Sequence, residues 1–353
     1  MLQTAVTPGR TVMIDDRSCL FFSGFSYLGL HQHATFKALL AEGIGHYGAL
    51  FPSSRAGNLR LSLYEEIEHA LASLLVQQSA VVFSSGYLSG QAAAHYATTC
   101  GEILYAPGAH PAIWHHLPAL PAGSREAWIQ ATIEKVNSQP DHTYVIASDT
   151  VSPLSGIIYS FDWLQQLQRK VLVVLDDSHG IGITGPGGKG SIHALPGASQ
   201  VRYLITASLA KAYSVEGGVV AGHAADIAAL KKTPFFTGST PMMPANAYAW
   251  LHATELIKKQ RQQLKQNVEH LEQLFSDIPA QHSPGLPMFI LPQHDGAPPL
   301  ADYLADRDVV ISSFSYPKPT DPPIQRAVVS ALHLHKDLAT LHHFLREYYL
   351  SVK

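Results

Sequence analysis

Two short, mostly apolar runs constrain this chain more than anything else in it: residues 171–175 (VLVVL) and 201–205 (VRYLI). Each has the length of a buried strand. The first is followed at once by Asp176-Asp177-Ser178-His179, and the second leads to Ser208-Leu209-Ala210-Lys211. In an open α/β sheet, ligands bind in the crevice at the carboxyl ends of the strands. An acid, an imidazole and a lysine are therefore expected at one crevice.

The surrounding sequence supports such a sheet. Residues 63–76 carry apolar side chains at helical spacing, with acids in the first turns. Strand-like runs at 80–83, 102–105 and 143–147 alternate with helical stretches at 87–99, 127–138 and 161–169. Parallel strands need such crossovers, so an α/β fold is predicted, with a mostly parallel sheet and helices on both faces. The pattern changes near residues 241–244. A long helix is predicted over 245–276, polar and basic in its outer half. Strands at 287–291, 309–312 and 326–330 and a helix at 337–350 follow. The proline-rich run 316–323 (YPKPTDPP) reads as a loop. Near the amino end, 11–14 and 19–22 flank Asp15-Asp16-Arg17-Ser18 as a hairpin, then come a helical run at 34–44 and a Gly/Pro/Ser-rich loop at 45–58. The predicted division is an N-terminal segment, 1–45, packing on the small domain; a large domain, 46–259; and a small α+β domain, 260–353.

Charge and cysteine content narrow the setting. The net charge is −3 with histidine neutral, which gives no electrostatic footprint for nucleic acid or an anionic membrane. No run reaches the roughly 18 apolar residues of a membrane span. Cys19 and Cys100 do not make a disulfide framework, and a cytoplasmic protein is expected. The 20 histidines show no metal-ligand spacing, so no metal site is assigned.

Two phosphate-binding patterns are only apparent. Gly180-Ile181-Gly182-Ile183-Thr184-Gly185 matches G-x-G-x-x-G after a strand, but Pro186-Gly187-Gly188 stops the helix that a dinucleotide site requires. Residues 185–191 do not have the lysine and glycine spacing of a P-loop. The better match to an acid, an imidazole and a lysine is pyridoxal phosphate (PLP), with Lys211 as its Schiff-base lysine. Asp176 is the carboxylate for the pyridine nitrogen, unless the two aspartates only cap a turn. His179 is placed to hydrogen-bond the ring hydroxyl oxygen. Ser85-Gly86-Tyr87, between a strand and a helix, suits the phosphate or is an ordinary capped helix start. His110 either stacks on the ring or is an ordinary loop histidine. Arg326 is either a carboxylate fork or a solvated strand-end arginine.

At these residues the chain resembles the α-oxoamine synthases, PLP-dependent enzymes of fold type I with a seven-stranded-type sheet. Asp176-Asp177-Ser178-His179-Gly180 resembles their D-[DE]-[AS]-H-[GS] motif, and Ser208–Ala212 with residues 215–222 resembles their lysine segment and its glycine-rich tail. Matches continue in order at 25–30, 83–91, 109–110, 236–244 and 326–333. The resemblance implies a PLP-dependent acyltransferase that joins an amino acid to an acyl thioester, such as an acyl-CoA, with loss of CO2, as in 8-amino-7-oxononanoate synthesis. An aminotransferase of the same fold and a non-catalytic scaffold are the alternatives. It implies catalytic roles for Lys211, His110, Asp176 and His179. Cofactor contacts are implied from Ser85, Gly86, Tyr87, His110, Asp176, His179, Ser208 and Lys211, with Ser239 and Thr240 serving the neighbouring subunit of a homodimer. Substrate contacts are implied from Arg326, Ser26 and Asp149. The chain departs from the family pattern at Ser26 and Gly90 (asparagines there), at Asp149 and Pro153 (within E-x-x-[FY]-S-M-D-G) and at Ser214 (a glycine).

Overall fold

The computed structural model describes residues 2–294, 296–316 and 320–350. Residues 317–319, inside the predicted proline-rich loop, lie outside the described residues. The chain forms two compact units. The larger comprises 34–152 and 158–254, and the smaller 2–33, 153–157 and the chain from 255 onward.

The larger unit is built on a six-stranded sheet. Its spatial order is Ser79–Phe83, Gly218–Gly222, Val201–Ser208, Val171–Asp176, Tyr144–Asp149 and Glu102–Tyr105. The last four are mutually parallel, whereas Gly218–Gly222 runs antiparallel to both neighbours. The sheet thus has six strands among the described residues where seven are predicted. Tyr144–Asp149 and Val171–Asp176 are buried at every position, because helices cover both faces. Register aligns Asp149 with Asp176, and Asp176 with Thr206, so the two acids that end their strands lie side by side, next to a threonine two residues short of the third strand's end.

Helix Gly86–Thr98 lies on this sheet through small residues, Ala92, Ala93 and Ala97, which share a core with Val81, Val174, Leu204 and Val220. Helix Ala34–Tyr47, predicted to belong with the N-terminal segment, packs in the larger unit instead. A Cβ at Gly43 would fall 2.9 Å from Ala245 Cα. The predicted helix at 161–169 is only a 3-10 turn, Asp162–Gln166. The Gln200 amide donates to the carbonyls of Leu164 and Leu167, so those acceptors are satisfied without further helix. The predicted helix at 245–276 is two helices, Pro244–His252 and Thr254–Leu274, broken at Ala253 (φ −93°, ψ 11°).

The smaller unit holds a five-stranded sheet in the order Thr11–Ile14, Arg17–Phe22, Val309–Ser315, Pro323–Val328, Met288–Leu291. Asp15 and Asp16, both at positive φ, make the two-residue turn of the first hairpin. Pro323 opens its strand, the position where a missing N–H is tolerated. Helices Thr254–Leu274 and His335–Leu350 bury one face each, through Leu264, Val268 and Leu271 and through Leu338, Leu341 and Leu345.

Candidate active site

The predicted imidazole and lysine meet, beside the strand that ends in the predicted acid. Lys211 Nζ lies 2.8 Å from His179 Nε2, within hydrogen-bonding distance. His179 follows the strand that ends in Asp176. Asp176 is buried, and its Oδ1 accepts the main-chain N–H of Ser178 at 2.9 Å. The Ser178 hydroxyl accepts the main-chain N–H of Ser208 at 2.8 Å, which ties the two strand ends together.

Lys211 sits on a folded loop, closed where Leu209 N–H donates to the Gly217 carbonyl at 2.9 Å. Ser214 completes the loop at φ 56°, a left-handed conformation that favours glycine. The G-x-G-x-x-G run has a packing role. A Cβ at Gly182 (φ +77°) would fall 2.9 Å from Ala212 Cβ and 3.0 Å from Tyr213 Cζ, so the glycine lets this turn press on the lysine loop. Asp177, buried against the same turn, accepts from the Thr150 hydroxyl and from Ser191 N–H. Burial pushes its carboxyl up to about 7.

Asp149 is a second buried acid beside Asp176. Its Oδ2 accepts the main-chain N–H of His110 at 2.9 Å. Burial first, then the neighbouring Asp176, pushes Asp149 up to about 8; the His110 N–H and Lys211 oppose this. The His110 ring accepts the Ala112 N–H through Nδ1 at 3.1 Å, which leaves Nε2 to carry the proton of the neutral ring. Burial lowers the imidazole below its ordinary range, against the pull of Asp176.

Ser85 caps helix Gly86–Thr98, its hydroxyl accepting the Leu88 N–H at 3.1 Å. A Cβ at Gly86 would fall 2.4 Å from Ser208 Cβ, and one at Gly218 would fall 2.3 Å from the Ser85 carbonyl oxygen. These glycines seat the helix start directly on the strand ends. Tyr87 is exposed. Ser239 is half-buried and donates to the Phe235 carbonyl, while Thr240 is exposed.

Ser26 and Arg326 belong to the smaller unit. The Ser26 hydroxyl pairs with His31 Nδ1 at 2.7 Å, and His31 Nε2 pairs with the Pro8 carbonyl. Arg326 is buried, donates to the Pro153 carbonyl at 2.9 Å, and its Nε has no hydrogen-bond partner among the described residues. Arg125 gave no sequence signal. Its guanidinium stacks 3.7 Å from the Tyr159 ring centroid and donates to the Ser148 hydroxyl, the residue before Asp149. A helix-capping serine at position 124 was the one local cue to its place.

The matching family model, Aminotransferase class I and II, spans residues 22–344. The chain belongs to this family, in its α-oxoamine synthase branch. The chain is 26% identical to 8-amino-7-oxononanoate synthase of Dechloromonas aromatica, over 96% of this chain and 92% of that protein. It is equally similar, at 26%, to the same enzyme of Coprothermobacter proteolyticus, over 94% and 88%. Serine palmitoyltransferase of Sphingomonas wittichii has the same fold, with a TM-score of 0.80 at 16% identity over 99% of this chain and 92% of that one. So does 8-amino-7-oxononanoate synthase of Francisella tularensis, with a TM-score of 0.70 at 20% identity over 95% and 99%.

The cofactor of this α-oxoamine synthase is PLP, and acyl transfer is its reaction class. The residues present fit that group. The larger unit offers an amine, a buried carboxyl, two histidines and a capped helix start on adjoining strand ends, and the glycine contacts at 86 and 218 bring the helix start close.

Proposed function

We propose that this α-oxoamine synthase condenses a small amino acid with an acyl thioester, releasing CO2 and thiol and giving an α-aminoketone. The observation that carries this reading is the approach of Lys211 Nζ to His179 Nε2 beside the Asp176 strand end, inside a fold and family of acyl-transferring PLP enzymes. When bound, PLP supplies an electron sink for negative charge at the amino acid α-carbon. Lys211 is the attachment point and moves the proton at that carbon. Asp176 holds the proton on the pyridine nitrogen, since a buried carboxylate favours the adjoining cation. His179 orients the ring oxygen, and His110, neutral and held in one tautomer, covers the ring. The start of helix Gly86–Thr98, with Ser85 and Tyr87, binds phosphate. Ser208 lines that seat.

Arg326 binds the amino acid carboxylate, which its unpartnered Nε supports. The exposure of Thr240 fits a homodimer in which Ser239 and Thr240 complete the neighbouring site. The free cysteines fit a cytoplasmic protein.

The test is to supply purified protein and PLP with alanine, glycine, serine or threonine and an acyl-CoA, and to follow CO2 and free thiol. Stoichiometric release of both is expected from at least one donor. Amino transfer to a keto acid with no thiol release would refute the reading.

A further inference from the structure

The second acid at the strand ends has a job that its contacts define. Asp149 is 8% exposed and lies beside Asp176, its partner in register on the neighbouring parallel strand. Its Oδ2 is taken by the main-chain N–H of His110. His110 in turn uses Nδ1 to cap the 3-10 turn Pro111–Ile113 through Ala112 N–H. That turn is locked onto helix Gly86–Thr98: Gln91 donates to the carbonyls of Pro111 and Ala112, and a Cβ at Gly90 would fall 2.4 Å from the Ala112 carbonyl oxygen. The contacts therefore run from the Asp149 carboxyl to the main chain at 110, and from there to a ring held through Nδ1.

We propose that Asp149 is a positioning residue that acts through His110, holding the histidine by its main-chain N–H, and does not bind substrate. The proposal deepens the function given above and rests on its placement of His110 over the cofactor ring. It also accounts for the departure from the family pattern. A glutamate would carry its carboxyl one carbon further from the strand end, whereas aspartate keeps it where the chain at residue 110 passes.

The acid does this work uncharged. The charged groups that act on it are Asp176, which disfavours a second anion, and Lys211, which favours one. Arg125, on helix Arg125–Ser138, feels Asp149 in turn. Burial and Asp176 outweigh the rest, so near neutral pH Asp149 keeps its proton.

Two variants separate positioning from charge. Asp149→Asn keeps an acceptor oxygen for His110 N–H and carries no charge. Asp149→Ala removes the acceptor. Three readouts need no acyl donor, so they stand whether or not the acyl chemistry is as proposed: the affinity for PLP from absorbance titration, the induced circular dichroism of the bound ring, and the titration of the His110 imidazole by NMR in protein without cofactor, with His110→Gln identifying its resonance. For Asp149→Asn all three are expected within about twofold of the unsubstituted protein and without a changed pH profile from about pH 6 to 7, because the native group is neutral over that range. For Asp149→Ala the induced signal falls, the His110 titration moves, and PLP binds about tenfold more weakly, the scale of one lost buried hydrogen bond. The proposal is overturned if Asp149→Asn is as impaired as Asp149→Ala, which would mean an ionised carboxylate is required. It is equally overturned if Asp149→Ala changes none of the three.

Discussion

Acidification should destabilise this protein through one histidine that takes no part in its chemistry. His333 ends the motif that begins at Arg326. It is buried, and its ring stacks on Phe22 with centroids 4.1 Å apart. Both nitrogens are committed: Nε2 pairs with the Phe21 carbonyl at 3.0 Å, and Nδ1 accepts the Ser330 N–H at 3.0 Å. Only the neutral ring fits. A second proton would sit on Nδ1, facing an N–H that is itself a donor. Burial accordingly takes the imidazole from 6.5 down to about 4, against the smaller pull of Asp337 and of its Phe21 bond. The folded affinity for the proton is the lower one, so the unfolded chain binds more protons between these values. Stability is then full above about pH 6.5 and declines as pH falls toward 4. At about 1.4 kcal/mol per tenfold change in proton affinity, the loss is about 3 kcal/mol. The assay is urea unfolding across this range for the native protein and for His333→Asn. The variant is weaker at every pH, but the difference between the two should shrink as pH falls, because asparagine does not titrate. A difference that stays constant across the range would refute the reasoning.

Two further outcomes are expected. Ser214→Gly, which relieves a left-handed residue in the lysine loop, should raise stability by up to about 1 kcal/mol, and a lower melting temperature would contradict this. Arg326→Lys keeps the charge and loses the fork, so amino acid affinity by spectral titration should fall by about tenfold or more while PLP binding is unchanged; equal amino acid affinity would remove Arg326 from carboxylate binding.

The parallel core of the fold was legible because its strands are mostly apolar runs that lead into chemistry-bearing residues, as at Asp176 and Lys211. The break at Ala253 was hidden, because both flanking segments have good helix formers and apolar spacing. The short turn at 162–166 was hidden for a different reason: a distant side chain, Gln200, takes its last carbonyls. The Asp149–His110 contact joins residues 39 apart through a main-chain N–H, which no residue pattern encodes. Arg125 likewise draws its place from Tyr159 and Ser148, neither a neighbour in sequence.

The contact between Gly182 and the Ala212-Tyr213 pair has a consequence for timing. With the backbone just after Lys211 wedged in place, the amine travels by turning about its own side-chain bonds. In exposed side chains such rotations take picoseconds to nanoseconds, and they need none of the slower motions of loops and domains. The lysine can therefore leave one atom and reach another without any part of the chain having to open.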